Sequence, residues 1–408
     1  ARQPVWLMAP TKQLKVATRS CSVASLTGRH TLGSSNRGKA QAKNMLPLKQ
    51  LAANDTFGVL NALIDVLDGK LALFVKPVQV GDAPPKVYDL PDEVDDSVAL
   101  IVESSGTTGS PKQITLSREA LLASAHASAK HLGASGQWLL ALPANYIAGA
   151  NVLIRSVVAQ TQPVLMNTTL PFTAEAFVRA TMMMSHENKF TSLVPTQLFR
   201  LAEAVKTDAS ALFALKQFKA ILVGGQAADN ALVEGLRAQG VNIVLTYGST
   251  ETAGGCVYDG VPLEGVQVAL LPDGRITVHA PTLANDIAHP FVTNDLGEFD
   301  DAGRLKVLGR ADRVLVSGAL KVSLDQLEHA ALTVAGVTEA AALAVDDAEW
   351  GQRAALFYVG SPEVADYLAG EVLTLLGPAA KPVRVLRVGS LPRTATSKVD
   401  YLSLAALL

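Results

Sequence analysis

The sequence predicts an α/β protein: a large N-terminal part on mostly parallel sheets, a short β-rich part after it, and a small C-terminal α+β part. Three observations carry this. From about residue 97 to residue 254, short apolar runs alternate with longer amphipathic stretches, the rhythm of strands and crossover helices. Loops rich in Gly, Ser and Thr follow two of those runs directly, where open α/β sheets collect ligands. The chain has 408 residues, 49% of them hydrophobic, enough for two or three domains with real cores.

Composition also excludes classes of function. No stretch approaches the roughly 18 uninterrupted apolar residues of a membrane helix, so a soluble chain is expected. Cys21 and Cys256 are too few and too far apart for a disulfide framework or a zinc site, and a reducing, cytoplasmic setting is the default. His126 and His131 miss the i, i+4 spacing of paired metal ligands.

Charge singles out the start of the chain. Residues 1–53 hold nine Lys or Arg and no Asp or Glu, while the whole chain carries −2, which leaves the rest at −11. With no apolar periodicity, this stretch is expected to be a tail. It is a basic arm for nucleic acid or anionic membrane, an Arg- and Ser-rich targeting segment, or unstructured sequence ahead of a natural start at Met45. No function is assigned to it. The body has no feature that calls for nucleic acid or a membrane, and its partners are expected to be small molecules. A homo-oligomer stays open.

Taken in order, the run FGVLNALIDVL from Phe57 has helical spacing, with Asp55 or Thr56 as its cap. SVALIVES (97–104) reads as a buried strand, and WLLALP (138–143), FTSLVP (190–195), KAILVGG (219–225) and VNIVLTYG (241–248) read as strands leading into loops. SREALLASAHASAKHL (117–132) and DNALVEGLRAQG (229–240) read as helices. Between 257 and 309 come short β-like segments with turns at Pro272-Asp273-Gly274 and Asp301-Ala302-Gly303. After 313, the strands AALAVDD, AALFYVG and VRVLRV mix with two helical stretches.

Five motifs carry chemistry. Ser104-Ser105-Gly106-Thr107-Thr108-Gly109-Ser110-Pro111-Lys112 follows a strand; its glycines, hydroxyls and lysine suit a polyphosphate. Pro111 and the short span to Lys112 depart from the P-loop pattern and disfavour a P-loop NTPase, and a plain surface loop is the alternative. Tyr247-Gly248-Ser249-Thr250-Glu251 ends another strand; a carboxylate there can hold Mg²⁺ and a tyrosine can stack on a base, or the segment is an ordinary turn. In Thr293-Asn294-Asp295-Leu296-Gly297 and Gly309-Arg310-Ala311-Asp312, an acid and an arginine can reach ribose or phosphate. Arg393-Thr394-Ala395-Thr396-Ser397-Lys398 places a lysine in a small polar loop, by charge alone a solvated one.

In this order, the five motifs resemble the adenylate-forming superfamily of acyl-CoA synthetases, luciferases and peptide-synthetase adenylation domains, over about 57–408. The resemblance implies an enzyme that joins a carboxylate to ATP, releases pyrophosphate and passes the acyl group to a thiol. It implies that the 104–112 loop holds the β- and γ-phosphates, that Thr250 meets the α-phosphate and that Glu251 binds Mg²⁺. Gly224 and Gly225 flank the adenine, with Tyr247 stacked on it and Gly248 beside it, and Asp295 and Arg310 grip the ribose. Lys398 bridges the carboxylate and the α-phosphate. It further implies a 54–310 body and a mobile 311–408 domain that turns about Asp312, removing Lys398 and bringing in 317–322. Gln113, Asn294, Ala319 and Ser397 stand where the family usually has glycine.

TSLVPTQL (191–198), LVGGQAADNAL and YGSTETAGGCVYDGVPLEGV look like the o-succinylbenzoate–CoA ligases of menaquinone biosynthesis. That implies ATP, Mg²⁺ and CoA, and a flat substrate with two carboxylates. Arg200, with Thr196 and Gln197, is the candidate anchor for the unreactive carboxylate, or else a surface arginine; Tyr146 stands where a histidine is usual. Another aryl or fatty acid, a carrier-protein acceptor, or a nucleotide-binding protein without catalysis are the other readings.

Overall fold

The computed structural model describes residues 44–78, 87–104, 112–393 and 399–408. The basic stretch before Asn44, the 105–111 loop and Thr394–Lys398 lie outside the described residues.

The first strand, Met45–Ala52, falls inside the stretch expected to be tail, so the ordered body starts before the Phe57 helix. Its alternating exposed and half-buried side chains pair in parallel with Ala72–Lys76 and antiparallel with Glu93–Asp95. The intervening helix is Thr56–Leu67, and of the two candidate caps Asp55 accepts from the Gly58 N–H at 3.0 Å. Leu100–Ser104 and Lys112–Leu116 complete this five-stranded sheet.

A second, seven-stranded sheet carries most of the alternation read in the sequence. Its core strands Val164–Leu165, Gln137–Leu140, Lys189–Leu193, Ala220–Gly224 and Ile243–Ser249 are parallel, and Gly254–Tyr258 and Val261–Pro262 add an antiparallel edge. The expected helices are Arg118–Leu132, capped by Ser117, and Asn230–Ala238, capped by Asp229. Helix Ile147–Val158 packs in the main apolar cluster and buries residues on every side, the pattern of an interior helix. Strands Gln267–Leu270, Arg275–His279, Phe291–Phe299 and Leu305–Arg310 form an antiparallel sheet, with the turns expected at 272–274 and 301–303.

Beyond Arg313 the chain builds a further sheet from Val314–Ser317, Leu320–Ser323, Val337–Asp347, Gly351–Gly360 and Arg384–Arg387. Helices Leu324–Leu332 and Leu368–Leu376 cover it, and its two apolar clusters contain only residues from Leu315 onward. Among the described residues, no helix is long and apolar enough to cross a membrane.

A polar cluster lies beside this last core. The Arg313 guanidinium donates to Asp325 and Glu328 and stacks on Tyr401 at 3.9 Å, while the Tyr401 hydroxyl donates to Glu328 at 3.1 Å. Burial lifts the Glu328 carboxyl to about 7, against the pull of Arg313. Because the folded chain holds this proton more tightly than the unfolded chain, the stabilisation is full below the ordinary glutamate range and disappears as pH rises to about 7. Thermal unfolding from pH 4.5 to 7.5 should therefore show a falling contribution that Glu328→Gln removes. An unchanged slope in that variant contradicts the assignment.

Candidate active site

Parallel pairing aligns the expected site residues along one edge. Leu193 pairs with Val223, and Gly224 with Thr246, so the carboxyl ends of these strands deliver Val194–Gln197, Gly224–Gly225 and Tyr247–Glu251 to neighbouring positions. This is where ligands of open α/β sheets bind. Gly224 is required by close approach: a Cβ there would lie 2.2 Å from Thr246 Oγ1. Gly225 has φ +87°, in the left-handed region.

Strand Ile243–Ser249 ends in a 3-10 turn, Thr250–Thr252, that presents Thr250 and Glu251 half-buried. Tyr247, from the same strand, donates its hydroxyl to Asp295 Oδ2 at 2.9 Å. Burial first, and the Asp295 charge second, push the Tyr247 phenol well above its ordinary range, so it is a firm donor. Arg310 pairs across the antiparallel ladder with Asp295, and its Nη1 is 3.6 Å from Asp295 Oδ1. Its stronger grip is on Asp312, with Nε–Oδ1 at 2.8 Å and Nη2–Oδ2 at 2.5 Å. That pair lowers the Asp312 carboxyl, whereas burial raises Asp295 despite Arg310. The residues implied for adenine, ribose and hinge thus form one chain of contacts: Tyr247, Asp295, Arg310, Asp312.

Ser105 to Gly109 fall outside the described residues, but their flanks do not. Ser104 pairs with Lys112 across an antiparallel ladder. One residue earlier, Glu103 accepts from the Tyr88 hydroxyl at 3.2 Å, and its charge also raises Tyr146. Burial is the larger cause for both tyrosines and takes Tyr88 to about 12. Tyr146 therefore lies within reach of the Glu103 charge. The motifs gave no sign of Tyr88 or Glu103; the available signal was a carboxylate inside the apolar run SVALIVES.

The three residues expected to anchor a carboxylate lie on one helix and differ in what they touch. Thr196 is half-buried at the start of helix Pro195–Val205. Gln197 spends its amide on the backbone, Nε2 donating to Ala141 O at 2.9 Å and Oε1 accepting from Val194 N at 3.2 Å; it fastens two strand ends together. Arg200 is exposed and donates to Phe172 O at 3.1 Å, the surface position that was its alternative.

Two family models match this chain: that of the AMP-binding enzyme over residues 37–283 and that of the AMP-binding enzyme C-terminal domain over 326–398. A probable 2-succinylbenzoate–CoA ligase of Mycobacterium tuberculosis is 40% identical over 330 residues, 77% of this chain and 85% of the relative. The chain belongs to the AMP-binding enzyme family. A 2-succinylbenzoate–CoA ligase of Bacillus licheniformis is 30% identical, covering 80% of this chain and 74% of the relative. Among solved structures, the Bacillus subtilis o-succinylbenzoate CoA synthetase with ATP and magnesium matches with TM-score 0.71 at 22% identity, over 88% of this chain and 89% of that one. Its complex with the acyl-adenylate matches with TM-score 0.69 at 23% identity, over 87% of each chain. These two likenesses speak for the fold.

For an AMP-binding enzyme, the departures from the family's glycines can now be weighed. Gln113 and Asn294 occupy strand positions without a positive φ, so nothing in the backbone demands glycine there. Ala319 differs. With Gly318 it forms a two-residue hairpin turn with φ +55° and +69°, the pattern of a type I′ turn that favours glycine. Ala319→Gly should therefore raise stability by about 0.5–1 kcal/mol, read as a higher denaturation midpoint. A lower midpoint would show that the alanine makes contacts worth more than its strain.

Magnesium fits the residues gathered here in a limited sense. Among the described residues, no group of three or more His, Cys, Asp or Glu could hold a metal. Glu251 is half-buried, and among the described residues its carboxylate has no cationic partner. A single oxygen ligand suits Mg²⁺ shared with nucleotide phosphates, which usually keeps several waters.

Proposed function

We propose that this chain is an ATP-dependent acid–CoA ligase that converts o-succinylbenzoate to o-succinylbenzoyl-CoA through an acyl-adenylate, releasing AMP and pyrophosphate, as in menaquinone biosynthesis. The observation that carries this reading is the 40% identity with a probable 2-succinylbenzoate–CoA ligase over 77% of the chain. The strand-end site supports it. ATP and CoA are then substrates, and the setting is the cytoplasm.

The difficulty of the first step is that two anions, a carboxylate and a triphosphate, must meet. Donors and cations fixed where charge develops are the solution. In this reading Tyr247, Gly248, Gly224 and Gly225 frame the base, and Asp295 accepts from the ribose hydroxyls while Arg310 holds it in place. Thr250 donates to the α-phosphate, and the 104–112 stretch, with Lys112, takes the β- and γ-phosphates. Glu251 would hold a magnesium ion, whose charge would offset that of the phosphates. Lys398 meets the charge shared by the carboxylate and the α-phosphate. Tyr146 and Thr196 line the acid's side.

The second step needs a different set of groups beside the adenylate, and the reading assigns the change to rotation of residues 311–408 about Asp312. Asp312→Pro fixes the backbone there and also takes a partner from Arg310, so it should slow thioester formation about 10-fold or more beyond any loss in adenylation. Equal loss of both steps removes the hinge role.

The nucleotide product tests the class, and an acid panel tests the substrate. AMP from ATP, with pyrophosphate exchange that depends on o-succinylbenzoate and thioester formation that depends on CoA, is the expected result. Exchange driven equally by other aryl or fatty acids moves the chain to a different acid; ADP as product sinks the class.

A further inference from the structure

The turn that presents Thr250 and Glu251 closes on a strained, buried residue, and two side chains from distant helices hold it. Ala253, which closes the turn, has φ +51° and ψ +37° and no exposure, a left-handed conformation costing an alanine about 1–2 kcal/mol. Its carbonyl accepts from Asn151 Nδ2 at 2.8 Å and from Ser124 Oγ at 3.2 Å. Asn151 and Ser124 are 3% and 2% exposed, so both hydrogen bonds are shielded from water. Within the turn, Thr252 Oγ1 accepts from Ser249 N at 2.9 Å and lies 2.7 Å from Gly254 O. The Glu251 carbonyl accepts from Ala284 N at 2.8 Å. Each of these ties acts on the backbone at Glu251 or close beside it.

The two donors come from informative places. Ser124 lies on helix Arg118–Leu132, which follows the Lys112–Leu116 strand after a single residue, Ser117. Asn151 lies on helix Ile147–Val158, which starts right after Tyr146. One carbonyl thus receives hydrogen bonds from the helix after the phosphate-loop strand and from the helix after the acid-side tyrosine.

We infer that Asn151 and Ser124 are positioning residues for Glu251: by gripping the Ala253 carbonyl they fix the turn in the one conformation that aims the carboxylate at the metal–nucleotide. The inference rests on the reading of Glu251 as the metal ligand. Supporting groups around a metal ligand typically account for about 10–100-fold in affinity, and a peptide held in the left-handed region lasts only while its surroundings impose it.

The test is equilibrium binding of ATP with and without Mg²⁺ and with no acid present, so that no turnover occurs. In the unaltered protein Mg²⁺ should tighten ATP binding, and no tightening there overturns the reading of Glu251. Asn151→Ala should reduce that tightening about 10-fold, and Ser124→Ala by a smaller factor, while Mg²⁺-free ATP binding moves by less than about 2-fold. Should Asn151→Ala fail to fold, Ser124→Ala carries the test, because it leaves one of the two donors in place. In a Glu251→Gln background the tightening is already lost, and adding Ser124→Ala should change nothing further. Equal losses in both backgrounds, or tightening that survives both single substitutions, overturn the inference. Full tightening in Glu251→Gln alone overturns the reading of Glu251, and this inference with it.

Discussion

Lys398→Ala should cut acyl-adenylate formation by at least about 10²-fold, with much less effect on thioester formation from adenylate supplied ready-made. Removing one preorganised donor from developing charge costs about 10²–10³ in rate, and Lys398 carries a full charge as well. Lys398 lies outside the described residues, but both flanks are tied down. Arg393 pairs with Val399 and bridges to Glu339 at 2.8 Å, and Asp400 caps helix Tyr401–Ala405. Tyr401 then reaches Glu328. Both flanks thus belong to the small C-terminal sheet and its helices. Single-turnover assays of each half-reaction decide the matter; near-normal adenylation in the variant refutes the role.

Asp295→Asn should weaken ATP binding by about 10–100-fold, roughly 1.4–2.7 kcal/mol. The substitution keeps the shape and removes the charge that Tyr247 and Arg310 both address. Arg310 retains Asp312 as a partner, so the loss should appear mainly in nucleotide affinity and little in unfolding temperature. Titration calorimetry with ATP reads this directly. An unchanged dissociation constant would mean that the carboxylate serves the fold and not the nucleotide.

Features decided within a few residues were legible in the sequence. Asp55, one of two candidate caps, and Ser117 and Asp229, the first residues of the expected helical stretches, cap their helices, because an N-cap acts on amides two or three positions on. The strands that end in Gly224 and Ser249 announced themselves as apolar runs before glycine, so the site's place at their ends was legible too. The Met45–Ala52 strand was not, because its basic surroundings masked the alternation of Leu46 and Leu48. Its pairing with Ala72–Lys76 and Glu93–Asp95 is not local. Gln197 looked like a substrate contact because its motif sits at a strand end, yet the Ala141 and Val194 backbone groups that occupy its amide meet it only in the folded chain. Tyr88 and Glu103 are not legible for the same reason: 15 positions apart, they become partners only in three dimensions.

The Gly318–Ala319 turn constrains any movement of the segment around it. It joins Val314–Ser317 to Leu320–Ser323 with no spare residue, because Ser317 and Leu320 already pair. Gly318 donates to Trp350 O at 2.9 Å, and a Cβ on it would lie 2.7 Å from the Trp350 ring. Ser317 pairs with Gly351. A hairpin closed this tightly is a stiff tongue seated on an indole, with no slack from which a new loop could be paid out. If residues 317–322 travel to the adenylate, they travel as one piece with Trp350 at the root, and the distance they cover is set by the pivot and not by the tip.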